Sequence, residues 1–515
     1  MIEAEVHHQL RAFLREQGQS HWPHHLTLAR LVARALRLGR SALIQAGSSS
    51  VYSGRYRLSY LISIIMWPGA AVVVAPKGLQ QQLLSDFTYL RDWVPSYKPI
   101  QCGDTWPHPN FQGLLLTTPK AWLADRLGSC TAFPANIPTL IDGVDDLETW
   151  VREQLTATLT QSDWEALTLA FPDLQQIIRD SRIQLAHSFF SRPQNPYHRY
   201  LLDANEQSVL SNLWQSLIQN CPEPGGVDAI MPLNWQRFWR QFNPPDHLLW
   251  VSLNREEGQF RIHCGPVEVA SVLNPLWQQQ PVVLIGAVLD RDADASIYRQ
   301  RLGLGEDLTC LKFGLDRHNE LIHLYTPEHL PLPNTPNFQS VLQRELHHLL
   351  VLQEPQEGPI VILVGDQPLK AQLAATLAGE FGSRVRMEQS PCRDNSILVC
   401  DWQFWREHSD KIPTPSLLIA ATLPIPSLED PLVSGRVAHY KRHRQDWFRL
   451  YLLPTALNEL QRAIAPVRSR QGMVALLDTR LHYRSYGRQI IESLSPAARL
   501  RSLEQAQLFV SNLAP

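Results

Sequence analysis

Lysine is scarce in this sequence. Seven of its 47 Lys and Arg residues are Lys, and none precedes Lys77. Basic charge is therefore carried by Arg, whose planar fork suits bidentate phosphate and carboxylate contacts and stacks on rings. There is no surplus of either sign, since 47 basic residues face 49 acidic ones. No global field draws the chain to a polyanion or an anionic membrane, so any such affinity is local. The seven Cys (102, 130, 221, 264, 310, 392 and 400) include no CxxC pair. Their spacing suits neither a zinc motif nor a disulfide framework, and it predicts reduced cytoplasmic thiols. The start, Met1 to Glu5, is acidic and polar, so no signal peptide is expected. The one long apolar run, Leu58–Ala75, is broken by Pro68 and Gly69. It predicts a buried helix and a strand, not a bilayer span.

What is present is a strand, Ala42–Ala46, that runs into a Gly/Ser turn and then an apolar helix start at Leu58. Strand, loop and helix in this order cradle phosphates on backbone N–H groups. Gly47, Ser50 and Gly54 are the candidate cradle. Six residues separate Gly47 from Gly54 where the phosphate-loop pattern has four. Arg55 stands where its lysine belongs. Tyr56 replaces the Ser or Thr that would hold Mg²⁺.

At 515 residues the chain has room for two or more domains. Continuous apolar strands alternate with helices: 70–75, 113–118 and 138–146, then 281–289, 359–364, 396–400, 416–420 and 472–478. Runs of this kind predict an α/β fold with parallel sheets covered on both faces. Residues 147–235 are Gln, Leu and Trp rich and predict helices with no clear strand, and 225–245 predicts a loop. Residues 248–263 alternate like a hairpin.

Order and wording of these pieces resemble the DinG/XPD branch of superfamily 2 helicases. Gly47–Arg57 takes the place of the Walker A loop. Asp142-Gly-Val-Asp145 takes the place of the DEAH box, and Gly286–Leu289 that of the Ser-Ala-Thr strand. Phe404–Asp410 resembles Phe-Trp-Glu-Gly-x-Asp with one extra residue. Leu423–Pro431 and Gln461–Arg468 follow in the family's order. The resemblance implies two RecA-like lobes with a helical arch-like insertion in the first. The expected divisions are 1–148 and 236–292 for the first lobe, 149–235 for the insertion and 293–515 for the second lobe.

The resemblance also implies ATP and Mg²⁺ as cofactors, and the departures from the family pattern weaken that expectation. Arg55 would supply the cation, Asp142 the Mg²⁺ carboxylate, Asp145 a substitute base and Gln461 a nucleotide contact. By register, Ala465 replaces the first Arg finger and Arg468 retains the second. Gly143 stands where the water-orienting Glu belongs. The expectation is an ATPase site that is weak or lost. The family's iron–sulfur cluster needs four thiolates, and only Cys102 and Cys130 lie in the matching stretch, so no cluster is expected.

Arg436, Lys441, Arg442, Arg444 and Arg449 interleave with rings between 436 and 449. Phosphates take such charge and bases stack on such rings. The same stretch also reads as a solvated helix face with its rings in the core. The insertion runs 189–192 and 197–200 would line a strand channel or simply pack. His24 and His25 read as exposed polar residues. The expected partner is single-stranded or forked nucleic acid, DNA before RNA, with a partner protein as a further candidate. The alternatives are an active ATP-dependent DNA helicase and a non-enzymatic docking scaffold.

Overall fold

The computed structural model describes residues 2–17, 22–94, 98–128, 131–220, 230–242, 246–315, 319–352, 358–389, 393–500 and 502. Cys130 and, of the expected loop at 225–245, residues 225–229 and 243–245 lie outside the described residues. The rest of that stretch is not a loop: Leu233–Phe242 is a helix that buries Trp235, Phe238 and Trp239.

Two seven-stranded parallel sheets carry the fold. The first runs Thr309–Lys312, Ala42–Gln45, Val282–Gly286, Thr139–Asp142, Ala71–Val74, Leu114–Thr117, Ile100–Cys102. Its inner strands are buried along their whole length, because helices cover both faces. Successive side chains alternate between the two covers. Ile44 and Val73 pack with Leu28, Tyr56 and Tyr60 on one face. Leu43 and Val72 pack with Trp122 and Leu147 on the other. The second sheet runs Val385–Met387, Ile397–Cys400, Ile360–Leu363, Leu417–Ala420, Met473–Leu476, Ile322–Tyr325, Ala497–Leu500. It is covered in the same way. The α/β expectation holds, and no helix among the described residues is long and apolar enough to cross a membrane.

The hairpin expected at 248–263 is present as His247–Asn254 and Gln259–Pro266, but the insertion differs from its mostly helical, strand-free expectation. It contains a four-stranded antiparallel sheet, ordered Ala157–Leu159, Gln259–Pro266, His247–Asn254, Arg199–Leu201. Among the described residues the hairpin 247–266 pairs only within this sheet, so the sheet crosses the expected division at 235/236. Likewise Thr309–Lys312 pairs with Ala42–Gln45, past the expected division at 292. Arg199–Leu201 and Ala157–Leu159 are three residues each, too short for their alternation to stand out. The hairpin packs on helices through Trp164, Phe189, Trp235 and Phe238, which form a separate aromatic core.

Candidate functional site

The phosphate-loop position opens at the carboxyl end of Ala42–Gln45. Gly47 (φ 88°) and Gly54 (φ 70°) both sit in the left-handed region that favours glycine. Between them Ser48–Ser53 forms a short helix, and Arg57–Ile65 follows. The short helix packs against Leu453–Ser469 of the second lobe. Ser48, Ser49 and Ser50 are all buried, and Ser50 Oγ has no hydrogen-bond partner among the described residues. Tyr52 reaches across the lobes to Thr414. The segment thus works as a lobe-to-lobe contact.

Asp142 ends its strand fully buried. Tyr56 donates its hydroxyl to Asp142 Oδ1 at 2.6 Å, and Tyr60 donates to Oδ2 at 2.6 Å. Tyr56 and Tyr60 are four residues apart, so a helical turn places both on one face. Burial pushes the Asp142 carboxyl up to about 6, although the two hydroxyls work against that rise. Burial raises both phenols as well, which keeps them protonated as donors. In this arrangement the residues do not fit a Mg²⁺–triphosphate. Each oxygen of the carboxylate that would hold the ion already accepts a tyrosine hydroxyl, and both rings are fully buried.

Of the remaining expected groups, Asp145 and Arg468 are held by other partners. Arg55 is exposed. Its neighbour Arg57 lies against Gly54, donates to Gln82 at 2.7 Å and pairs with Asp86 at 3.3 Å. Asp145 accepts the Ala287 N–H at 2.8 Å, an approach open because residue 286 is Gly. A Cβ there would stand 2.8 Å from Asp145 Oδ2. Arg468 is buried in the second lobe, donating to the carbonyls of Glu320, Leu494 and Pro496 at 2.7–3.0 Å. Burial lowers its pKa to about 10. Ala465 is buried and Gln461 half-buried on the same helix.

Sequence reasoning missed Tyr60, Asp146 and Arg462. Arg462 bridges the lobes to Asp146 at 3.0 Å. Burial works against its charge, but Asp146, Asp145 and Glu459 raise its pKa further. It lies three residues before Ala465, on the same side of the helix, a spacing that could have found it. His25 departs from expectation: it is buried, with Nδ1 2.8 Å from Ser59 Oγ. His24 stacks on Phe313.

The basic segment divides in two. Arg436 faces inward over Tyr451, 5.6 Å from its ring centroid. Lys441, Arg442, Arg444 and Arg449 are exposed, with Lys441 over Trp447 at 5.4 Å. Tyr440 and Tyr451 are buried and stack on each other, so they are core rings and not open platforms. Phe448, Arg449 and Tyr486 line a hollow of about 140 Å³. A larger cavity of about 670 Å³ lies where the insertion meets both lobes, and Tyr197, Trp250, Trp402, Arg406 and Arg436 line it. Of the insertion runs, Phe189 is buried, and Arg192 pairs with Glu206 at 2.6 Å. Arg199 pairs with Asp430.

No family model matches the chain. It is 24% identical over 287 residues to the ATP-dependent DNA helicase YoaA of Escherichia coli K12, covering 53% of this chain and 44% of that protein. It is 26% identical over 270 residues to the ATP-dependent DNA helicase YoaA of Haemophilus influenzae, covering 49% and 42%. The chain thus spans less than half the length of the curated relatives it matches. A solved XPD helicase superposes with a TM-score of 0.60 at 12% identity, covering 94% of this chain and 100% of that one. An apo XPD structure gives 0.57 at 14%, covering 92% and 100%. At such identity the structures speak for the fold, and the sequence relatives speak for the lineage. Together they make the chain a relative of the DinG/XPD-like superfamily 2 helicases.

Proposed function

We propose that this chain is a helicase-like protein that binds single-stranded or forked nucleic acid, DNA before RNA, and does not turn over ATP. The observation that carries this reading is the pair of tyrosine hydroxyls on Asp142. Hydrolysis in this motor class needs a cation on the β/γ-phosphates, a Mg²⁺ held by hydroxyl and carboxylate, a positioned water and Arg fingers. Here Tyr56 stands at the hydroxyl position and binds the carboxylate itself. Asp145 is held by backbone N–H groups, and Arg468 by backbone carbonyls. The named relatives are ATP-dependent DNA helicases. On this reading, DNA contact is retained and the dependence on ATP is not.

Support for the nucleic-acid half comes from the 670 Å³ cavity, where the part-exposed rings of Tyr197 and Trp250 stand with Arg406 and Arg436. Rings and guanidinium groups at one site suit stacked bases and their phosphates. The exposed cations Lys441, Arg442 and Arg444 add charge at the end of the same helix. The test is fluorescence anisotropy of a labelled single-stranded oligonucleotide without nucleotide. Salt-sensitive binding that weakens in Arg436→Ala supports the reading. Binding absent at low salt, or unaltered in Arg436→Ala and in the Lys441/Arg442/Arg444→Ala variant alike, contradicts it.

A further inference from the structure

The helix Pro431–Arg442 lies against the insertion sheet at close range. A Cβ on Gly435 would meet Leu248 at 3.0 Å and Leu201 at 3.3 Å. One turn after Gly435 comes His439, and His443 follows four residues later on the same face. Their ring centroids are 4.3 Å apart. Facing them is Asp246, directly before the strand His247–Asn254. Its Oδ1 lies 3.5 Å from His439 Nδ1 and 4.0 Å from His443 Nε2. One ligand atom from each of the three residues falls within 4.8 Å of the others.

The tautomers suit metal binding. His443 Nδ1 lies 3.0 Å from the His439 carbonyl, which can only accept, so the proton is on Nδ1 and the Nε2 lone pair is free. His439 is 3% exposed, and its Nδ1 has no hydrogen-bond partner among the described residues. A buried ring nitrogen without a partner is unusual. On the far side of that ring, Nε2 lies 3.6 Å from the Glu268 carboxylate. Outer partners of this kind orient metal-binding imidazoles.

We infer that Asp246, His439 and His443 form a site for a divalent transition-metal ion of the Zn²⁺ type, which joins the second lobe to the insertion. Two imidazole nitrogens and one carboxylate oxygen suit such an ion, with water completing the shell. Ligands of a tetrahedral ion with bonds of roughly 2.0–2.1 Å stand roughly 3.3–3.4 Å apart. The side chains of Asp246 and His443 are 55% and 49% exposed, so they have room to close in and leave an entry path.

The test is Zn²⁺ titration of the full chain by calorimetry, with metal content measured after dialysis. The expected result is one ion per chain and a rise in Tm, with affinity at least about tenfold weaker in His443→Ala and in Asp246→Asn. Both substitutions are at exposed positions, so the fold survives them. Mg²⁺ at equal concentration should give no rise, since it prefers an oxygen shell. Zn²⁺ held equally by wild type and both variants would place the metal on other histidines, such as the exposed His347 and His348, and would overturn the inference. Absence of binding at micromolar Zn²⁺ would overturn it equally.

Discussion

Tyr60 donates its hydroxyl to Asp142 Oδ2 at 2.6 Å, closing over a carboxylate whose other oxygen is taken by Tyr56. A hydrogen bond to a charged acceptor contributes about 1.5–3 kcal/mol, and leaving the acceptor buried and unpaired costs at least as much. Tyr60→Phe should therefore destabilise the protein by about 1.5–3 kcal/mol at pH 7.5. Urea unfolding measures this directly. A change below about 0.5 kcal/mol would mean that the hydroxyl is not holding the carboxylate.

The same pair makes stability depend on pH. The Asp142 pKa is raised from 3.8 to about 6 on folding. Its contribution is thus fully present below 3.8 and is lost as pH rises through about 6. Asp142→Asn has no proton to lose. Relative to wild type it should gain on the order of 3 kcal/mol between low and neutral pH. Thermal melts of both proteins across that range would show the gain, and a constant difference would count against it.

Glu148 behaves in the opposite sense. Burial alone would raise its carboxyl, but Arg301 and Arg152 pull it down from 4.5 to about 2. Its contribution is present above 4.5 and is lost as pH falls toward 2. Glu148→Gln should cost on the order of 3 kcal/mol at neutral pH, with the difference from wild type shrinking in acid. Acid unfolding curves check the direction.

Three cations at one helix end predict a specific salt effect. Each phosphate contact on single strands contributes about 0.7 to the slope of log K against log salt. Removing Lys441, Arg442 and Arg444 together should flatten that slope by roughly 2. An unchanged slope would move the phosphate contacts elsewhere.

The central strands were legible because burial on both faces writes them as continuous apolar runs, as at Ala71–Val74 and Ile360–Leu363. The edge strands Ile100–Cys102 and Val385–Met387 are short and part-exposed, and they carry no such run. The insertion sheet was hidden because its hairpin finds one partner about a hundred residues away and the other about fifty, each a segment of three residues. At the site, motif order placed Gly47, Asp142 and Arg468 in sequence. It could not show where the side chains turn. Tyr56 read only as a missing Mg²⁺ ligand, yet its partner lies 86 residues on. Tyr60 looked like any core ring in an apolar helix. Arg468 matched a finger by register, while three carbonyls hold it inside its own lobe.

The most direct test of the central claim is nucleotide handling by the purified wild-type chain. Saturating ATP with Mg²⁺ should leave Tm unchanged, because a ligand that the folded form does not bind cannot stabilise it. Phosphate release with single-stranded DNA present should stay at the level of the buffer. A clear rise in Tm together with DNA-stimulated phosphate release, both lost in Arg55→Ala, would contradict the account.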